Sequence, residues 1–314
     1  MAIVRTDIPI TSESCERMIL EIVEAYPFCR TEVIAQTAYG RPIRTLVIGT
    51  GPRKVIYSAA HHANEWITSL ILLKFVEEMA EAMKQGENVF GVPAKQIAEV
   101  ATIYTVPMVD PDGVDLVVEA IPEGTLPYEM ARTMAEFYPG IPFPSGWKAN
   151  LEGVDLNLQY PAGWLQAREI KFSQGFTQPG PRDYVGRFPL SQPEAKALAG
   201  YTEYIDPDLV LAYHAQGEVI YWQFRDIFVP GARELGEIFA KLSGYTLEDT
   251  PYESAFAGYK DWFIQNFRKP GYTVEVGVGV SPLPLDQFEK IYGDNLGILT
   301  AGALGKIPEK SVDR

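Results

Sequence analysis

Two short segments and two isolated residues in this chain carry side chains that could do hydrolytic chemistry together. The first segment is His61-His62-Ala63-Asn64-Glu65-Trp66-Ile67-Thr68. The isolated residues are His214 and Glu275. Imidazole nitrogen and carboxylate oxygen suit Zn²⁺ at about 2.0–2.2 Å, and a catalytic zinc needs three protein ligands and one open position. The chain has only 3 histidines, which leaves few ways to complete a set. His62 and Glu65 follow an apolar run at 55–60 that reads as a buried strand, and a strongly helical stretch begins at Trp66. His214 follows a second such run at 209–213. Strand ends are where open α/β sheets hold their ligands. One histidine after a buried strand is often only a satisfied structural group, so the set of His62, Glu65 and His214 carries the reading, with one zinc per chain. His61 does not fit the spacing and is expected in the pocket wall or behind the ligands.

Glu275 lies in an apolar β-like run over 274–280. An unpaired carboxylate there is costly to bury. Its presence marks either a site or an exposed edge strand.

These residues must be positioned by ordered elements. Met18, Ile19, Ile22 and Val23 share one face of a helix expected over 11–27. Strands are expected at 32–37, 43–48, 55–60, 101–109, 209–213 and 272–276. The turn Ala38-Tyr39-Gly40-Arg41-Pro42 joins the first two as a hairpin, and Asp110-Pro111-Asp112-Gly113 ends the 101–109 strand. Helices are expected at 66–83, 192–204, 231–242, 261–267 and 285–304. Ser191 and Glu194 would form a capping box for the second of these. Residues 120–190, rich in Pro, Gly and aromatics, read as irregular site-building loops. Strands alternating with helices predict an α/β fold, a mixed sheet with helices on both faces.

The chain of 314 residues, 46% hydrophobic and 22% charged, suits one large domain, expected to span 1–314. A net charge of -14 argues against a nucleic-acid-binding face, though a local cationic cleft remains compatible with it. No run is long enough to span a bilayer. Residues 1–11 show no signal-peptide pattern, and Cys15 and Cys29 are too few for a disulfide framework, so a cytoplasmic setting is expected.

The first segment, together with Gly153-Val154-Asp155-Leu156-Asn157-Leu158-Gln159-Tyr160, His214 and Tyr272-Thr273-Val274-Glu275-Val276, resembles the zinc metallocarboxypeptidases, the carboxypeptidase A-like enzymes. The resemblance implies a single domain with a central mixed sheet of about eight strands. It implies Glu275 as general base and Asp155 as the carboxylate that holds the first zinc histidine. It places Lys148, where the family has an arginine, against the tetrahedral oxyanion. It places Tyr252, with Tyr259 as the alternative, over the substrate, and Lys260 at the bottom of the specificity pocket. Asn157 matches the asparagine of the family's Asn-Arg carboxylate clamp, but Leu158 stands in place of the arginine. A guanidinium fork makes two charge-assisted bonds to a carboxylate, and a leucine makes none.

Within the family, the γ-D-glutamyl-L-diamino acid endopeptidase branch is the one this chain resembles through long runs. Among these runs are Ala167-Arg168-Glu169-Ile170-Lys171-Phe172 and Pro181-Arg182-Asp183-Tyr184. That branch hydrolyses the γ-D-glutamyl–diaminopimelate bond of murein peptides, so a murein peptide is the expected substrate. Such a substrate has several carboxylates and a distal amino group. Lys148, Arg168, Lys171, Arg182 and Lys260 are the cations available to meet it, with Asn157, Arg168 and Lys260 taken as substrate-binding. The competing expectations are a true carboxypeptidase using another cation, a zinc amidoacylase, and a catalytically dead murein-peptide binder.

Overall fold

The computed structural model describes residues 2–308. Met1, the first residue of the segment read for a signal, and 309–314, the end of the expected domain, lie outside the described residues. Four strands form the parallel centre of the sheet: β4 (Arg53–Ser58), β7 (Ala101–Val106), β8 (Leu209–His214) and β11 (Gly271–Glu275). Their near-continuous Val, Ile, Leu and Tyr content is what a strand buried on both faces requires. Antiparallel strands close the edges: β3 (Leu46–Ile48) pairs with β7, and β9 (Val219–Tyr221) pairs with β11. β10 (Thr246–Glu248) lies parallel to β9, giving seven strands in the order β10-β9-β11-β8-β4-β7-β3. The expected count of about eight is thus seven in one sheet. The expected hairpin forms, between β1 (Val33–Gln36) and β2 (Pro42–Arg44), but as a separate two-stranded ribbon. Thr45 breaks the expected 43–48 strand into β2 and β3, so only its second half enters the main sheet. β5 (Asn88–Val89) and β6 (Val92–Pro93) make a further short pair.

Side chains alternate across the pleat. Val55, Tyr57, Leu209, Leu211, Tyr213, Tyr272 and Val274 enter one core, covered by α1 (Ser12–Ala25), α2 (Ile67–Gln85), α3 (Ala94–Val100), α8 (Ala232–Ser243) and α10 (Phe288–Leu304). Ile56, Val210 and Ala212 face the other, with α6 (Trp164–Ser173), α7 (Pro193–Ile205) and α9 (Tyr259–Phe267). Fully buried Leu, Ile and Phe side chains each contribute about 1.5–3 kcal/mol, so these two layers are what hold the strand ends in place. α2 stops at Gly86, which takes a left-handed φ of 79° that a helix end tolerates best in glycine.

Several local expectations need correction. Residues 120–190 contain two helices, α5 (Leu126–Ala135) and α6; Pro127 and the weak amphipathic pattern hid them. The Asp110 turn does not merely end a strand: it opens α4 (Pro111–Val117), with the Asp110 carboxylate accepting from Gly113 N–H at 2.9 Å. Ser191 does not cap α7. Pro193 starts that helix, Ser191 Oγ donates to Gln159 Oε1 at 2.9 Å, and Glu194 turns inward beside Asn150. No helix of the described residues is long and apolar enough to cross a membrane.

Candidate active site

β4 ends at Ser58 and the chain turns through Ala60 at φ 47° before His62. Thr68 ties this turn to α2: its hydroxyl accepts from Ala60 N–H at 3.0 Å and donates to the Glu65 carbonyl at 2.7 Å. A single 3₁₀ turn, Ala63–Glu65, then brings Glu65 back toward His62. The last residue of β8 is His214. His62 Nδ1 lies 2.9 Å from Glu65 Oε1, His214 Nδ1 lies 2.9 Å from Glu65 Oε2, and the two Nδ1 atoms are 3.2 Å apart. All three side chains are buried, and their ligand atoms fall within 4.8 Å of one another. Two imidazole nitrogens and a carboxylate converging on one point fit a zinc ion in donor type and in number. The remaining ring nitrogen of His62 is 3.1 Å from Asp155 Oδ1, the arrangement that fixes which nitrogen faces a metal.

Asp155 is itself held by N–H groups, from Asn157 on Oδ1 at 3.1 Å and from Asp183 on Oδ2 at 3.2 Å. Burial pushes its carboxyl upward, but His62, Lys148 and Lys171 outweigh this and keep it ionised well below the usual range. Glu65 behaves likewise: burial opposes ionisation, and His62, Lys148 and His214 overcome it. Lys148 Nζ stands 3.4 Å from Glu65 Oε1. Burial disfavours its charge, yet Glu65 and Asp155 raise its pKa above the ordinary lysine value.

Glu275 ends β11, half-buried, on the cleft wall with His62, Lys148 and Asp155. Burial first, and then the Glu65 charge, push its pKa up to about 8. A carboxylate poised near neutrality and facing a metal-binding cluster is suited to accept and return a proton. The cleft extends to both sides of the cluster. One arm is lined by Asn157, Leu158, Lys171, Thr250, Lys260 and Asp261, the other by Asn64, Ile141, Gln216 and Ser281. Lys148, Arg182, Tyr221 and Glu275 line both.

The other sequence candidates are placed unevenly. Asn157 lines the cleft, its Oδ1 accepting from Tyr259 N–H at 3.0 Å. Leu158 is 7% exposed and belongs to the α7–α9 core. Lys260 is 4% exposed; its ammonium pairs with Asp261 at 2.6 Å and donates to the Gln223 carbonyl at 2.6 Å. Arg168 is not brought to the cleft: it is exposed and its guanidinium lies 4.8 Å from the Phe172 ring. Lys171, one turn further along α6, is the cation that helix delivers, 2.7 Å from Asp183. Tyr252 is 68% exposed on a short turn and packs on Phe256, outside the cleft lining. Tyr259 is fully buried with its hydroxyl 2.7 Å from Thr202 Oγ1, a core residue. His61 is buried behind the ligands, stacked on His214 at 5.4 Å, with Tyr259 at 5.6 Å on its far side. Sequence reasoning assigned nothing to Asp183 or Asp261; the only signal was that each adjoins a cation already in view.

The fold and the cluster define a zinc-dependent hydrolase of the carboxypeptidase A type. The chain belongs to the zinc carboxypeptidase family, whose sequence profile matches residues 15–296. It is 40% identical over 284 residues to γ-D-glutamyl-L-diamino acid endopeptidase 1 of Lysinibacillus sphaericus, covering 90% of this chain and 69% of that protein. Its fold is similar to that of thrombin-activatable fibrinolysis inhibitor (TM-score 0.75, 17% identity, 96% of this chain and 76% of that one). It is also similar to carboxypeptidase A from Helicoverpa armigera (TM-score 0.69, 17% identity, 95% and 75%). The protein is therefore a zinc metallopeptidase.

Proposed function

We propose that this chain hydrolyses the amide bond between γ-D-glutamate and an L-diamino acid, diaminopimelate above all, in murein peptides. The observation that carries the reading is the arm of the cleft that holds Leu158, which we assign to the residue on the amine side of the scissile bond. It presents the apolar Leu158 beside Asn157 and ion pairs on its walls, Lys171–Asp183 and Lys260–Asp261. With Leu158 in it, that arm lacks the guanidinium of the Asn-Arg clamp, and it suits a long side chain with a zwitterionic end. The similarity to the Lysinibacillus endopeptidase supports the same substrate.

In this reading His62, Glu65 and His214 hold the zinc and Asp155 fixes the His62 ring. Bound zinc supplies a water of lowered pKa and polarises the scissile carbonyl. Glu275 takes the proton of the attacking water and hands it to the leaving amine nitrogen. Lys148 faces the negative charge that develops on the carbonyl oxygen, as a point charge without a fork. Asn157 lines the arm that takes the amine-side residue, and Lys260, its ammonium already held by Asp261, the Gln223 carbonyl and Thr250, shapes the wall of that arm. Roles for Arg168 and Tyr252 require their side chains to swing inward, and the reading leans on neither. One catalytic unit spans the chain, and the free, buried Cys15 and Cys29 support a reducing, cytoplasmic setting.

Mass spectrometry after incubation with defined murein tri- and tetrapeptides, with and without chelator, tests this. The expected products are the γ-D-glutamyl fragment and the diaminopimelate-containing fragment, in the chelator-free arm only. Efficient hydrolysis of hippuryl dipeptides with the murein peptides left intact gives the function to a true carboxypeptidase instead.

A further inference from the structure

Leu158 leaves open which group of this chain meets a substrate carboxylate. The cations that line the cleft differ in how far their heads are already engaged and exposed. Lys260 donates to the Gln223 carbonyl and to Thr250 Oγ1, and its ammonium is ion-paired with Asp261 at 2.6 Å. Lys171 is engaged by Asp183 at 2.7 Å and its side chain is only 10% exposed. Lys148 is turned to Glu65. Arg182 differs. Its Nε donates to Asp183 Oδ2 at 2.5 Å, and among the described residues its two terminal nitrogens have no hydrogen-bond partner. Its side chain is 43% exposed, and it lines both arms of the cleft.

The chain that carries this guanidinium is fixed on both sides, and the guanidinium itself is held at Nε by Asp183. The Pro181 carbonyl accepts from Lys148 N–H at 2.7 Å and Ala149 N–H at 2.9 Å, which clips the segment to the strand of chain that carries Lys148. Asp183 N–H reaches the same Asp155 carboxylate that steadies His62. The Asp183 side chain is clamped between Arg182 and Lys171. Asp183 also adopts φ 64°, a left-handed conformation that a non-glycine residue keeps only when its surroundings dictate it. Ordering a long cationic side chain before the ligand arrives removes much of the entropy cost of binding.

We infer that Arg182, braced by Asp183, is the carboxylate-recognition residue of this cleft, and that it binds a free α-carboxylate of the substrate through its terminal nitrogens. The inference rests on the proposed murein-peptide reading. Two carboxylates flank the scissile bond, that of the γ-linked D-glutamate and that of the diamino acid, and they share the chemistry a guanidinium fork reads.

Three substrates separate them: the free γ-D-Glu–diaminopimelate peptide, the same peptide with the D-glutamate α-carboxylate amidated, and one with amidation of the diaminopimelate carboxylate on the carbon that bears the scissile nitrogen. The wild-type protein is expected to lose about ten- to hundred-fold in kcat/KM with one of the amidated peptides, the range for a lost charge-assisted bond. Arg182→Gln should cleave the free peptide that much more slowly and no longer distinguish it from that amidated partner. Arg182→Lys, keeping charge without the fork, should retain part of the preference. Unchanged zinc content and melting temperature in both variants separate recognition from folding, and Arg182→Lys alone carries the comparison if the glutamine variant is unstable. Wild-type-like preference for both free carboxylates in the folded variants overturns the inference. Failure of the wild-type protein to cleave any of the three peptides overturns the proposed function, and this inference with it.

Discussion

Glu275 and His214 are register partners across the parallel pair β11–β8, and Val276 N–H donates to the His214 carbonyl at 2.9 Å. Side chains at paired positions of neighbouring strands point to the same face. The register therefore puts the Glu275 carboxylate beside a metal-binding imidazole without any help from a loop. At that strand end Glu275 is half-buried on the cleft wall, and burial first, then the Glu65 charge, push its pKa up to about 8.

Glu275→Gln preserves shape and removes the proton acceptor. Zinc content should stay near one per chain, while kcat should fall by roughly 10²–10⁴-fold. Metal analysis and steady-state kinetics on the same preparation check it; near-normal turnover would remove Glu275 from the reaction.

Stripping the metal should stop hydrolysis and lower thermal stability. A ligand that binds only the folded state at about 1,000 times its Kd contributes about 4 kcal/mol. Melting curves with and without chelator should therefore differ for the wild-type protein. They should coincide for His214→Ala, which loses one of three ligands and a buried ring. Identical curves for the wild-type protein would count against a preformed site.

Glu194 provides a pH prediction remote from the metal ligands. It is buried beside Asn150, and burial, with Asp112 adding, raises its pKa to about 7. A carboxyl raised in the folded state favours folding fully below its unfolded value, near 4.3, and loses that contribution as pH rises through 7. Glu194→Gln should be no more stable than wild type at pH 5 and more stable at pH 8.5, by about 1–3 kcal/mol. Urea midpoints at the two pH values measure this; equal differences at both would show that Glu194 does not titrate in this range.

Leu158→Arg tests the missing clamp. Asn157 is in place beside it, so some affinity for a terminal carboxylate should return. Leu158 is packed in the α7–α9 core, however, and a guanidinium there loses its packing and its solvent. A drop of about 2–4 kcal/mol in stability is expected, and a gain on hippuryl substrates below about ten-fold. A well-folded variant with a much larger gain would show that the packing around Leu158 yields easily.

The site was legible where chemistry and periodicity coincided. His62, Glu65, His214 and Glu275 each follow or end an apolar β-run, and both signals survive in a single sequence. The central strands were legible for the same reason. The helix over 126–135 was not, because it is short and the residues it buries fully are two alanines, Ala131 and Ala135, with Tyr128 and Met134 only partly covered. The start of α7 was misread because Ser191 suits a cap, yet Gln159 claims its hydroxyl from far along the chain. Arg168 was favoured over Lys171 because charge alone does not tell which side of α6 meets the cleft. Tertiary context decides such points, and it is absent from local patterns.

The rings behind the metal ligands carry one more consequence. His214 stacks on His61, His61 lies against Tyr259, and Tyr259 stacks on the buried Trp262 at 6.1 Å. These contacts connect the His214 imidazole, through two further rings, to an indole shielded from water. Ultraviolet emission is therefore expected to shift on zinc titration of the native protein, and the shift to shrink when Trp262 alone is replaced by phenylalanine; an unchanged shift in that variant would place the response at another tryptophan.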